Sequence, residues 1–128
     1  MNHFIIKQKL PGLNEYINAN RTNAYMGARF KAEVEETIIW AINQARAAET
    51  LHRPEGRIIV NFEWHERTKR RDADNIASAK KFILDALVKS GVLIDDSRKY
   101  VVGFHDTIID DKADFVIVDL IDLKERGA

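Results

Sequence analysis

The sequence predicts an α/β (α+β) fold, in which a small mixed β-sheet carries two helices on one face. Segments with apolar residues at every second position, as in strands, alternate with segments whose apolar residues recur every three or four positions, as in helices. The elements follow one another as strand, helix, strand, helix, strand, strand. With 128 residues, 45% of them hydrophobic, residues 1–128 are expected to form one domain around one core.

The first element is a predicted strand from His3 to Leu10, where apolar side chains alternate with lysines. Pro11 and Gly12 end this strand. The next stretch, LNEYINANRTNAYMG, is rich in asparagine and lacks a clean period. We therefore expect a long surface loop there, a feature that is often functional in a small domain.

A helix is predicted from Ala28 to Ala48, because its apolar residues share one helical face. The members of this stripe are Phe30, Val34, Ile38, Ala41 and Ala45. The segment from Arg57 to His65, RIIVNFEWH, shows the strict alternation of a half-buried strand.

A second helix is expected from Asn75 to Ser90, with Asp74 as its N-cap and Gly91 as its C-terminal stop. A third strand should run from Lys99 to His105, followed by a turn at residues 110–112. The last strand, ADFVIVDLI, is expected to pair antiparallel with the third. A right-handed crossover through the second helix would make the second and third strands parallel, and the strand order stays open.

Composition excludes several classes of protein. The chain has no cysteine, which rules out disulfides, thiolate catalysis and cysteine-ligated zinc. No apolar run approaches the roughly 20 residues of a membrane span, and MNHFIIKQKL is too short and mixed for a signal peptide. We therefore expect a cytoplasmic protein without a membrane partner. The formal net charge is zero, so an anion-binding surface requires local segregation of charge.

The segment KRRDADNIASAKK places cations directly before two aspartates, at the predicted start of the second helix. Asp72 and Asp74 are two residues apart, so their carboxylates would point the same way in extended backbone. Mg²⁺ needs only a few carboxylates together with water and phosphate oxygens. Asp95 and Asp96 offer a second acidic cluster after the same helix, provided that the chain runs back past the helix start.

Each part of this pattern also has a simpler structural interpretation. Asp74 alone suits a helix N-cap, Asp95 and Asp96 suit a turn, and the basic run from Lys69 to Arg71 suits a solvated loop. The combination is more informative, because metal-assisted phosphodiester cleavage requires carboxylates for Mg²⁺ beside cations for phosphate. The residues thus indicate a phosphoryl-transfer site without naming a substrate.

The ordered elements RRDADN, a lysine, ILDAL and GVLIDD, over residues 70–96, resemble the RusA family of Holliday-junction resolvases. PGLNEY is similar to the stretch that follows the first strand in that family. The resemblance implies a RusA-like homodimer, a crossover junction endodeoxyribonuclease that nicks four-way DNA junctions symmetrically in recombination and repair. It also implies Mg²⁺ as the cofactor, with Mn²⁺ as a substitute. A two-fold dimer suits the approximate two-fold symmetry of a junction.

The resemblance assigns catalysis and metal binding to aspartates of both clusters, namely Asp72, Asp74 and Asp96, with Asp95 as a near alternative to Asp96. It also implies one essential lysine. Close relatives of the namesake place this lysine sooner after the Asp-Asn pair. Counting back from ILDAL favours Lys81, and Lys80 stays the fallback. Asn75 would support the helix start or the metal shell.

The phosphate contacts expected of a DNA-binding chain fall on its densest basic patch, which comprises Arg67, Lys69, Arg70, Arg71 and Lys80, beside Lys81. Asn75 is a further residue expected to contact DNA. Two alternatives to junction resolution stay open. One is a Mg²⁺-dependent nuclease that prefers flaps, forks or duplex DNA. The other is a noncatalytic or regulatory DNA-binding domain on the same scaffold.

Overall fold

The structure, a computed structural model, describes residues 1–123. Its strands are β1 (His3–Ile6), β2 (Ile58–Glu66), β3 (Val101–Asp110) and β4 (Phe115–Asp122). Its helices are α1 (Leu13–Thr22), α2 (Ala24–Ala47), α3 (Ala73–Ala77) and α4 (Lys80–Lys89). The strands form one mixed sheet in the order β1-β4-β2-β3. The predicted mixed α and β architecture is confirmed.

The pairing of the strands is only partly as predicted. Strands β2 and β3 are parallel, as the crossover through the second helix requires, whereas β4 pairs antiparallel with β1 and β2. The predicted pairing of the last two strands is wrong, because β2 lies between them. Glu66 pairs with Asp110 and His65 with Phe115, so the short connection from β3 to β4 crosses the end of β2.

One face of the sheet holds the core. Along β2, Ile58, Val60, Phe62 and Trp64 are at most 2% exposed, and the residues between them are half-buried. Helices α2 and α4 pack against each other and supply the opposing apolar side chains, among them Ile38. Four of the five predicted stripe residues of α2 are buried, and the fifth, Phe30, is partly buried. No helix within residues 1–123 has the length and apolarity needed to cross a bilayer.

The predicted loop after Gly12 is wrong, because that segment folds as α1 and the first turn of α2. Both helices are capped by polar side chains: Glu15 accepts the backbone N–H of Gly12 at 2.8 Å, and the Asn23 side chain accepts that of Met26 at 2.7 Å. Helix α1 has no fully buried residue. Its apolar residues with helical spacing are the short series Leu13, Tyr16 and Ile17, of which Tyr16 packs against the core with its ring centroid 5.7 Å from that of Phe82. So short a series gives little periodic signal in a sequence.

The predicted second helix is divided in two. It begins after Asp72, which takes the N-cap position expected of Asp74, and it is interrupted at Ser78 and Ala79. The Ser78 hydroxyl donates to the Asn75 carbonyl at 2.6 Å, a local bond of the kind that competes with continuous helix.

Two strand boundaries also differ from the prediction. The first strand ends at Ile6 rather than Leu10, and β3 continues to Asp110, which therefore belongs to the strand and not to a turn.

A polar contact holds the connection between β3 and β4 over the end of β2. The Asp111 carboxylate accepts the Lys112 backbone N–H at 2.6 Å and lies 2.8 Å from Nδ1 of His65. These two interactions, the Lys112 bond first, lower the pKa of the Asp111 carboxyl below its usual value of 3.8.

We expect Asp111→Asn to destabilise the protein at pH 7 and to have progressively less effect in acid. A carboxyl with a lowered folded-state pKa contributes stability above its unfolded-state value, and this contribution disappears as the pH falls through the folded-state pKa. Urea unfolding from pH 7 down to the lowest pH at which the chain folds measures the difference. Asp110→Asn, in a more exposed ion pair with Lys69, is the control. A difference that does not change with pH would contradict the assignment.

Candidate active site

A buried ion pair fixes the segment that leads into the acidic motif. Arg71 binds Glu66, the last residue of β2, through Nε to Oε1 at 3.1 Å and Nη2 to Oε2 at 2.9 Å, and the two side chains are only 10% and 6% exposed. Its Nη1 donates to the Leu10 carbonyl at 3.0 Å. The Arg71 guanidinium is therefore directed at the protein interior, although the sequence predicted a phosphate contact for it.

The far side of the motif is anchored on α1. Asn75 Oδ1 accepts the backbone N–H of Asn14 at 3.2 Å, and Ser78 Oγ accepts that of Leu13 at 2.8 Å. These bonds satisfy two N–H groups that a helix start leaves without partners. A Cβ at Gly12 would lie 2.5 Å from the Asn75 carbonyl oxygen, so this close approach requires glycine. Asn75 thus supports a helix start, that of α1 rather than its own.

Asp72 and Asp74 lie between these two anchors and are exposed. Asp72 is the N-cap residue of α3, but its side chain makes no capping hydrogen bond. Asp74 Oδ1 accepts the backbone N–H of the next residue at 3.0 Å. Because Arg71 and Asn75 are fixed on either side, the backbone that carries both carboxylates is held in place while the carboxylates face solvent.

The second acidic cluster returns towards the start of α4. Asp96 lies 3.2 Å from Nζ of Lys81, which also contacts Asp85 at 3.0 Å. The hydrogen bonds that Lys81 donates to Asp85, and then to Asp96, raise the pKa of Lys81 above its usual 10.5. Lys81 therefore stays protonated at neutral pH. Asp95 is exposed, and its Oδ1 accepts the Asp96 backbone N–H at 2.7 Å.

Lys80 has a different partner, which the sequence did not reveal. Its Nζ lies 2.5 Å from Asp106 Oδ2 on β3 and 4.7 Å from the Phe104 ring centroid. The indole N–H of Trp64 donates to the other Asp106 oxygen at 2.8 Å. The sequence contained one indication of this contact. Asp106 places a carboxylate on the same face of β3 as the apolar residues Phe104 and Ile108. Lys81, not Lys80, is the lysine in contact with the second acidic cluster.

The remaining residues of the predicted basic patch are at the surface. Arg67, Lys69 and Arg70 are exposed. Lys69 is 3.7 Å from Asp110, but both side chains are more than half exposed, and such pairs contribute little to stability. These three cations face solvent, where phosphate could reach them.

The candidate metal ligands are of a suitable type, but the structure does not bring them together around one position. Carboxylate oxygens are the donors that Mg²⁺ prefers. Within residues 1–123, however, no three acidic or histidine side chains come together as a group that could hold a metal ion. The structure brings Asp96 to Lys81 and leaves Asp72, Asp74 and Asp95 at the surface.

The comparisons with known proteins identify no family for this chain. No protein-family model matches it, and no curated protein gives a significant match.

We expect Arg71→Leu to lower the free energy of unfolding by about 3–5 kcal/mol, since it leaves the Glu66 carboxylate buried without its partner. Urea denaturation measures the loss. Arg70→Leu, at the exposed neighbouring position, should change stability by about 0.5 kcal/mol or less. The double variant Glu66→Leu/Arg71→Leu should recover much of the loss, because it also removes the unpaired charge. Equal stability of the two single variants would show that the ion pair has no structural role.

Proposed function

We propose that this chain is a Mg²⁺-dependent, structure-selective endodeoxyribonuclease that resolves four-way DNA junctions as a homodimer, in the manner of the RusA family, in the cytoplasm. The proposal rests on the motif resemblance and on one structural observation. The observation is the Lys81 to Asp96 ion pair, which brings the second acidic cluster back to the first turn of α4.

This contact shortens the separation between the two acidic clusters. Asp74 precedes Lys81 by seven residues, and the chain between them runs through α3, the interruption at Ser78 and Ala79, and the start of α4. Without the return of the segment before Asp96, the length of α4 would separate the clusters further. A phosphate group bound to Lys81 would therefore lie beside Asp96 of the second cluster.

The carboxylates of the two acidic clusters suit the metal-binding part of the proposed reaction. Asp72, Asp74 and Asp96, with Asp95 as an alternative to Asp96, would hold Mg²⁺, or Mn²⁺ in its place. When bound, such a metal supplies an activated water and neutralises charge on the phosphate.

Lys81 would stabilise the negative charge that develops during cleavage. Its raised pKa suits this role, because the reaction needs the protonated side chain. Lys80 is less available for it, because its side chain is only 24% exposed beside Asp106 and two aromatic rings, whereas that of Lys81 is 68% exposed. Arg67, Lys69 and Arg70 would contact the DNA backbone.

A noncatalytic DNA-binding domain on the same scaffold is the second candidate. It is favoured by the absence, among the described residues, of a three-ligand group for a metal. A noncatalytic domain would keep the basic surface and bind branched DNA without cutting it.

We expect Asp74→Asn to abolish Mg²⁺-dependent nicking of a labelled four-way junction while leaving the fold intact. The amide removes a negative metal ligand, and Asp74 makes only one local hydrogen bond, so its loss should not unfold the chain. Circular dichroism and thermal unfolding check the fold. Wild-type binding without cleavage would favour the noncatalytic domain, and equal cleavage of linear duplex would remove the junction preference.

We expect Lys81→Gln to lower the rate of junction cleavage by about 10²-fold or more, as for the loss of one group that stabilises transition-state charge. Lys80→Gln is the matched control, because it makes the same substitution at the neighbouring lysine. Its effect on the rate should be much smaller. Single-turnover cleavage at saturating enzyme measures both. A larger loss in Lys80→Gln would transfer the proposed role to Lys80.

A further inference from the structure

A cleft of about 300 Å³ opens at the end of the sheet away from Asp72 and Asp74. Its walls come from the segment before β2 and from the connection between α4 and β3. They include Arg53, Pro54, Arg57, Ile94, Lys99 and Tyr100. The volume is at the lower end of the range for pockets that bind small ligands.

The cations of this cleft differ from the three cations that carboxylates hold near the acidic motif. Arg71, Lys80 and Lys81 are each paired with a carboxylate. By contrast, Arg53, Arg57 and Lys99 form no ion pair anywhere in the part of the chain that the structure describes.

Arg53 instead donates to the Gly91 carbonyl through Nε at 3.2 Å and Nη2 at 3.0 Å, which holds its side chain against the wall. The lining thus carries the three cations Arg53, Arg57 and Lys99 and the one carboxylate of Glu55, an excess of positive charge in a chain whose net charge is zero.

Hydrogen bonds hold the walls of the cleft in place. The Ile58 N–H donates to the Tyr100 carbonyl at 2.8 Å, which joins the two walls. The Asp122 carboxylate accepts the N–H groups of Glu55 at 2.9 Å and Gly56 at 3.1 Å. A pocket whose walls are already fixed loses little conformational entropy on binding a ligand.

The chemistry of the walls suits a nucleotide. Arg57 and Lys99 are exposed cations of the kind that contact phosphate. Tyr100 offers a partly exposed aromatic ring, and Ile94 is 59% exposed. An aromatic face and an apolar side chain beside such cations are the features on which proteins stack unpaired bases.

We infer that this cleft binds one unpaired nucleotide of the DNA strand, with its phosphate on Arg57 and Lys99 and its base against Tyr100 and Ile94. The inference rests on the proposed function, because it identifies the occupant as part of the DNA substrate. The connection between α4 and β3 lines the cleft and also carries Asp96. A strand that passes Asp96 can therefore continue into the cleft.

The test is a titration of the protein with deoxyadenosine 5′-monophosphate in EDTA, followed by amide NMR shifts. We expect saturable shifts at Ile94, Lys99 and Tyr100, and weaker binding of inorganic phosphate, which has no base to stack. Absence of these shifts, or equal affinity for phosphate and nucleotide, would overturn the assignment.

The double variant Arg57→Gln/Lys99→Gln should weaken nucleotide binding about tenfold or more, since it removes both phosphate contacts. The matched control is Arg21→Gln/Lys112→Gln, which removes the same two charges from exposed positions outside the cleft. If both variants lost affinity equally, the loss would come from the change in net charge alone. This result would contradict a specific nucleotide site in the cleft.

The titration contains no metal, so it can be read whether or not the chain proves to be a nuclease. If the wild-type protein cuts junctions, the cleft variant should show a raised KM with kcat largely retained. An unchanged KM would remove the cleft from the substrate path without affecting the proposed nuclease. Nucleotide binding without any metal-dependent cleavage or junction binding would contradict the DNA strand as occupant and the proposed function together.

Discussion

The Glu66 to Arg71 ion pair is the interaction on which the geometry of the acidic motif depends. Both side chains are nearly buried, and Arg71 also holds the Leu10 carbonyl that leads to α1. A buried bidentate pair tolerates little displacement, because either charge alone would be strongly unfavourable there. The end of β2, the segment before α1 and the start of α3 are thereby fixed relative to one another. Asp72 and Asp74 depend on this arrangement for their position.

Ion pairing distinguishes the cations that hold the fold together from those that are available to bind phosphate. Residues that the sequence places together in one basic run have different surroundings: Arg71 is internal, Lys80 lies over Phe104 beside Asp106, and Arg70 is exposed. A cation already paired with a carboxylate must give up that partner to bind phosphate, and an unpaired one need not. Arg57 and Lys99, which form no ion pair within residues 1–123, are therefore better placed to bind an anion than the paired Arg71 and Lys80.

The sequence predicted best those elements whose apolar period is regular. The alternation from Ile58 to Trp64 identified β2, and the stripe through Val34 and Ile38 identified α2. Helix α1 was missed because its start is defined by Gly12 and Glu15, which carry no apolar period. The last two strands were paired wrongly because a short polar turn between apolar runs is typical of a hairpin. The strand pairing shows instead that β2 lies between them, with β3 on one side and β4 on the other.

The sequence could predict which residues belong to the candidate site, but not which residues they contact. The sequence predicted that Asp95 and Asp96 approach Asp72 and Asp74 only if the chain runs back past the helix start. The structure brings Asp96 to Lys81, and within residues 1–123 no three of these carboxylates come together. The partners of Arg71 and Lys80 could not be predicted, because Glu66 and Asp106 approach them only after the strands have packed.

In the proposed nuclease, the two acidic clusters would serve one metal site. Amide NMR of the protein titrated with Mn²⁺ tests it most directly, since the paramagnetic ion broadens signals only near its binding site. We predict that the signals of Asp72, Asp74 and Asp96 broaden together at low Mn²⁺ and recover when Mg²⁺ competes. Broadening confined to one cluster, or spread evenly over the surface carboxylates, would contradict a shared site.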